Sequence, residues 1–404
     1  MSLTRRAMLG TAAAAGTTLP LIGRARAAES IKIGVLNDMS GPYRDLSGPT
    51  SVALVKMAVA ELGALGFDVE VISADHQNKA DVGASIARQW CDRDGVDLIL
   101  DVPNSSVALA VAGVSKQKNK AFIDVGGGSS DLTGKDCSPT LIHWAYDTYM
   151  LAKSTGSALV KTGGATWFFI TADYAFGQAL QKDTTRFVTE AGGKVLGSVA
   201  YPFPGTTDFS SFLLQAQASE AKVLGLANAG ADTVNCIKQG REFGLQMTSA
   251  ALLMFITDVH ALGLAAAQGL NLTESFYWNL NDRSRAFTQR ALKAAPGRYP
   301  TMVQAGCYSG ALHFLKAVKA MGVAEAKKSG TAIIEQMKKM PVEDDAYQGS
   351  IREDGRGMFN AYLFEVKKPA ESKGPWDYYN LKATTQANDA FRPLKDGGCD
   401  FIKS

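Results

Sequence analysis

Histidine is scarce in this 404-residue chain, with four copies (His76, His143, His260 and His313). None sits in a nucleophile elbow or a zinc-binding helix signature, so hydrolase and metalloprotease chemistry has no motif to rest on. The five cysteines, Cys91, Cys137, Cys236, Cys307 and Cys399, lie far apart and never form the C-x-x-C pair that zinc ribbons and redox dithiols need. No cofactor is expected. Beyond residue 27, no run of 18 uninterrupted apolar residues occurs, which leaves no candidate for a spanning helix. Charge of one sign is also missing. The formal net charge is +3, and Arg5, Arg6, Arg24 and Arg26 fall in residues 1–27 with no acid, so the remainder stands at −1. Nucleic acid and anionic membrane are therefore not expected partners.

Thr4-Arg5-Arg6 precedes a weakly apolar stretch that ends at Ala25-Arg26-Ala27, the pattern of a removable twin-arginine export signal. Pro20 and Gly23 interrupt that stretch well short of the roughly 20 residues that span a bilayer. Export implies a periplasmic location and an oxidising compartment, in which one disulfide is expected. Cys137 and Cys399 lie in polar, turn-like contexts, whereas Cys91 and Cys236 sit in partly apolar helical patterns, so a Cys137–Cys399 bridge is the expected pairing.

After the signal, short apolar β-branched runs alternate with amphipathic segments, first over 31–125 and again over 148–255. This repetition predicts an α/β protein of two doubly wound parallel-sheet lobes. The later segments are too few for a third domain. They imply that the chain crosses between lobes several times and forms a multi-strand hinge. The expected division is 28–145 with about 275–345 in the N-terminal lobe, and 146–274 with about 346–404 in the C-terminal lobe and tail.

Ligands of open parallel sheets bind beyond the carboxyl ends of strands. The loops that matter are therefore 37–46, 102–106, 126–130, 171–177, 227–231 (which contains Asn228) and 256–259. Gly126-Gly127-Gly128-Ser129 could present backbone N–H groups to an anion beside Ser105 and Ser106, but it lacks the lysine of a phosphate loop. Asp147 and Asp258 could share an ammonium group, and each also stands where a helix start needs a cap. Tyr43, Tyr174, Phe176, Trp278 and Tyr308 are aromatics near the expected cleft, with core packing as the alternative for each.

Taken in order, Ile33 to Pro42, Asn104-Ser105-Ser106, Asp131-Leu132-Thr133, Asp173 to Gly177, Asp208-Phe209 and Tyr308 to Leu312 resemble the leucine/isoleucine/valine-binding type of periplasmic solute-binding protein. The resemblance runs from about Ile31 to Lys367. It implies a type I, Venus-flytrap fold that closes over a small molecule and delivers it to the permease and ATPase of an ABC importer, with no enzymatic activity and as a monomer. By position it assigns Ser105 or Ser106 and the backbone of Gly127 to Ser129 to a ligand carboxylate, and Asp147 and Asp258 to an ammonium. Tyr43, Phe176 and Trp278 become walls, and Asn228 lies in the adjoining loop. Two departures, the triple glycine in place of Ala-Ala-Thr and the bulky Tyr43-Arg44-Asp45, make an aromatic or other organic acid a rival to an aliphatic amino acid. A ligand sensor of the same fold is the alternative function.

Overall fold

The computed structural model describes residues 30–402; the expected export signal lies outside them. Five parallel strands, β1 (Ser30–Asn37), β2 (Asp68–Asp75), β3 (Leu98–Asp101), β4 (Ala121–Asp124) and β5 (Leu141–His143), form a sheet in the order β2-β1-β3-β4-β5. Central β3 and β4 are buried along their whole length, as continuous apolar strands covered on both faces must be. Successive side chains point to opposite faces: Leu98 and Leu100 pack with Leu54, Phe314 and Val318, whereas Ile99 packs with Ala87, Val107 and Val111. The helices Gly48–Glu61 and Met302–Met321 thus cover one face, and Ala80–Gln89 and Ser105–Lys118 the other.

A second parallel sheet joins β6 (Thr166–Ala172), β7 (Lys194–Tyr201), β8 (Val223–Ala227) and β9 (Thr248–Ala251) in the order β7-β6-β8-β9. β10 (Asn271–Glu274) continues this lobe. The hairpin elements β11 (Val342–Glu343), β12 (Gln348–Ile351) and β13 (Gly357–Met358) follow, and β14 (Ala361–Val366) then pairs antiparallel with both β10 and β15 (Tyr379–Thr385). Among the described residues, no helix is long and apolar enough to cross a membrane.

The late chain is divided differently from the expected 346–404 block. Residues 348–358 stay with the first lobe, where His143 bridges Arg356 in parallel fashion and the His143 N–H donates to the Gly355 carbonyl at 2.9 Å. Only β14 and β15 add to the second lobe. The tail then returns to the first: Arg392 donates to the Ser130 carbonyl at 2.9 Å, and Cys399 is bridged to Cys137 with Cα atoms 5.6 Å apart. The reason for the return is a fully buried guanidinium. Arg356 donates to the carbonyls of Trp144, Tyr146 and Gly357, and its charge lies 4.6 Å from the ring centre of Phe391 in the tail. Burial lowers its pKa only to about 10, so it remains a cation at neutral pH.

The bridge closes a loop of 262 residues. Unreduced, denatured protein is expected to titrate three thiols, from Cys91, Cys236 and Cys307; five would exclude the bridge. Cys137→Ser is expected to lower unfolding free energy by about 2 to 5 kcal/mol in denaturant titration.

Candidate functional site

The loop after β1 is organised by one buried carboxylate. Asp38 accepts from the N–H groups of Gly41 at 2.6 Å and Tyr43 at 2.8 Å, and from the Asn78 amide at 2.7 Å. Gly41 is needed because a Cβ there would stand 2.8 Å from the Asp38 carboxylate. This turn aims Tyr43 at the second lobe. Beyond β3, Asp101 and Val102 both adopt positive φ, at 89° and 57°, before Pro103, and Asn104 then caps the helix Ser105–Lys118 by accepting from the Val107 N–H at 3.1 Å. Two consecutive non-glycine residues held in that region are strained backbone of the kind that clusters at ligand sites.

The triple glycine after β4 serves close approach. A Cβ on Gly126 would meet Pro103 at 2.6 Å, and one on Gly128 would meet the rings of Phe176 and Tyr146 at 2.8 Å. The Gly126 carbonyl accepts from the Tyr146 hydroxyl at 2.7 Å.

These elements enclose an interlobe cavity. Its first-lobe side is Tyr43, Leu46, Pro103, Ser105, Gly126 and Gly128; Tyr146 comes from the first crossing; Tyr174, Phe176, Ala229 and Leu253 come from the second lobe. No lining side chain is charged. The lobes approach until about 10 Å³ of free space is left, roughly what one water molecule needs. Across the cavity the hydroxyls of Tyr43 and Tyr174 share a hydrogen bond of 2.5 Å. Burial raises both phenol pKa values, so both hydroxyls are neutral.

Of the residues expected at the ligand, Tyr43, Ser105 and Phe176 line this cavity. Ser106 sits at the seam, its hydroxyl accepting from the Ala175 N–H of the opposite lobe at 3.4 Å. Gly127 and Ser129 lie one layer behind: the Gly127 N–H donates to Asp124 at 3.2 Å and the Ser129 N–H to the Ser105 hydroxyl at 3.0 Å. Asn228 is buried beside the cavity and accepts from the Thr233 hydroxyl at 2.7 Å. Trp278 does not line the cavity: its ring N–H donates to the Trp376 carbonyl at 2.7 Å.

The two aspartates expected to share an ammonium do not meet there. Asp147 caps the helix Thr148–Leu151, accepting from the Met150 N–H at 2.8 Å, and its other oxygen lies 3.7 Å from Arg356. Asp258 accepts from the Phe255 N–H at 2.9 Å in a helix-start box. For both, the local need of a helix terminus takes the carboxylate away from the cleft.

Leu46 and Ala229 lie in two of the expected loops, whereas Leu253 and Tyr146 lie outside them. Leu253 follows directly from the strand-end rule once β9 is seen to stop at Ala251; a strand drawn through 251–255 hides it. Tyr146 had no such signal, because its place depends on the crossing held by Arg356.

The periplasmic binding protein family model matches residues 30–375, most of the chain. The chain belongs to this family. A periplasmic binding protein from Burkholderia mallei is 51% identical, with 93% of this chain and 100% of that one covered and a TM-score of 0.89. A branched chain amino acid ABC transporter periplasmic ligand-binding protein from Burkholderia xenovorans LB400 is 41% identical over 92% and 99% of the two chains, with a TM-score of 0.78. Leu/Ile/Val-binding protein homolog 4 of Brucella abortus is 23% identical, covering 94% of each sequence. The two parallel-sheet lobes are thus those of a type I periplasmic binding protein.

Asp258 is pushed up to about 7 by burial. The folded protein therefore keeps a proton that the unfolded chain has already released, and stability falls as pH rises from about 4 to about 7. Asp258→Asn keeps the oxygen that accepts from Phe255 and removes the titration. Its melting temperature is expected to exceed that of the wild type at pH 8, with a flatter profile below; an unchanged pH profile would contradict this.

Proposed function

We propose that this chain is the periplasmic solute-receiving component of an ABC importer and that its ligand is a small aromatic carboxylate. The observation that carries the reading is the lining itself: four aromatic rings, Tyr43, Tyr146, Tyr174 and Phe176, and no ionised side chain. An amino-acid ligand would bring an ammonium group into this closed site with no carboxylate to pair it, at a cost of several kcal/mol. A carboxylate fares differently. The helices Ser105–Lys118, Ala175–Glu190 and Ala231–Glu242 all begin at the cavity, and the positive ends of three helix dipoles favour an anion.

Free donors point the same way. The Ser105 oxygen already accepts from Ser129, which leaves its O–H proton for a ligand. The Tyr43–Tyr174 pair spends one of its two protons on itself and keeps the other. The Tyr146 hydroxyl is committed to Gly126 and serves as wall.

Solute-binding proteins from Rhodopseudomonas palustris in complex with benzoate and, from strain BisB5, with 3,4-dihydroxy benzoic acid share the fold at TM-scores of 0.79, with 18% and 22% identity. That supports the compatibility of this architecture with aromatic acids. The ring enters with the lobes parted, and closure buries it because the ligand touches both lobes. The closed shape is what the permease and ATPase complex would recognise.

Calorimetry with benzoate, 4-hydroxybenzoate and leucine tests the ligand class. The aromatic acids are expected to bind at least about 100-fold tighter than leucine, which at 1.4 kcal/mol per tenfold equals the unpaired ammonium's cost of a few kcal/mol. Ser105→Ala is expected to weaken benzoate by about tenfold, the worth of one hydrogen bond to a charged group. Tight leucine binding without aromatic-acid binding would overturn the reading.

A further inference from the structure

Phe203 lies outside the cavity and yet touches the two tyrosines that close it. It follows β7 in the segment Pro202-Phe203-Pro204-Gly205 and is half-buried. Its ring stacks on Tyr174 of its own lobe, with centroids 4.4 Å apart and planes at 17°, and on Tyr43 of the opposite lobe, at 5.4 Å and 23°. Sheet order places this stack far from the hinge. The crossings leave from β5 in the first lobe and from β10 and β14 in the second. β1, which carries the Tyr43 loop, and β7, which carries Phe203, are on the opposite side. Contacts there have the longest lever arm and break first when the lobes part.

The backbone meets at the same mouth. The Ala231 N–H donates to the Pro42 carbonyl across the lobes at 3.3 Å. Gly230 adopts φ of 60° beside it, and a Cβ on Gly230 would stand 2.6 Å from that carbonyl. Ala231 is the first residue of its helix, whose cap position contributes no side-chain bond. Its N–H therefore has no partner within the helix and is protected only while the mouth is shut.

We propose that Phe203 is a positioning residue of closure: a latch at the mouth that acts through Tyr43 and Tyr174. The stack involves no ligand atom, so its free energy favours the closed form whatever occupies the cavity, and part of the ligand-free population is held closed by it. Affinity for any ligand then rises by the same factor, while selectivity stays with the lining residues.

The test is amide hydrogen exchange at Ala231 in ligand-free protein, which needs no knowledge of the ligand. Phe203→Ala is expected to speed that exchange by about three- to tenfold, the range open to the one aromatic contact that crosses the lobes, Tyr43–Phe203, and Phe203→Trp to restore it. The amides of Ile33 and Val35 in β1 are expected to be unchanged. An Ala231 amide that is unprotected in the wild type, equal exchange in wild type and Phe203→Ala, or equal acceleration at Ile33 overturns the latch. In a second arm, benzoate is expected to dissociate from Phe203→Ala faster by the same factor with its association rate unchanged, and an unaltered dissociation rate counts against the latch. If benzoate binds neither protein, the aromatic-acid reading fails and the exchange comparison still decides the latch.

Discussion

A single buried guanidinium holds together the parts of this molecule that the chain visits at different times. Arg356 is fully enclosed, and a cation there is tolerable only if its donors are all occupied. Its partners are the carbonyls of Trp144 and Tyr146 on the first crossing and of Gly357 on the late hairpin, with Asp147 nearby and the Phe391 ring of the tail against its face. These partners come from three passages of the chain: the first crossing, the late hairpin and the tail. Tyr146 reaches the cavity, and Asp147 is held from it, because this cation organises the crossing.

Closure rests on a second economy of polar groups. The helices Ala175–Glu190 and Ala231–Glu242 begin at Tyr174 and Gly230, neither of which supplies a side-chain cap. The first lobe supplies the missing acceptors, through the Ser106 hydroxyl and the Pro42 carbonyl. A helix start needs partners for its N–H groups, and water provides them when the lobes are apart. The exchange of water for protein is nearly balanced, and a balanced exchange suits a binding protein that has to open as well as close. The Tyr43–Phe203 stack across the lobes then adds a non-polar share that is gained only on closure.

Much of the fold was legible because it is written in local patterns. The runs at Ile31, Val96, Ala121, Thr166 and Val223 are short, apolar and separated by amphipathic segments, and burial on both faces of a sheet demands that alternation. Strand patterns at Gln348–Ile351 and Tyr362–Val366 are also readable in the sequence, but not the lobe that each joins. β12 pairs with its hairpin partners on the first lobe, and β14 with β10 on the second, and neither choice alters the local pattern. At the cavity, Tyr43, Ser105 and Phe176 could be named because they lie in loops after strands, where a parallel sheet places its ligands.

By itself, then, the sequence determined the α/β class, the two-lobe plan, the strand-end loops that would face one another and the two cysteines set in polar, turn-like contexts. Each follows from periodicity or turn chemistry within a few residues. Tertiary structure decided which side chains of those loops look inward, that Asp147 and Asp258 serve helix starts instead of the cleft, and that the tail closes back on the first lobe through Cys399. Asp147 and Asp258 take backbone N–H groups three residues away, whereas the inward-facing side chains and the return of the tail depend on partners hundreds of positions away, Arg356 above all. A ring takes the partner that packing brings within reach, and no local pattern specifies a partner on the opposite lobe.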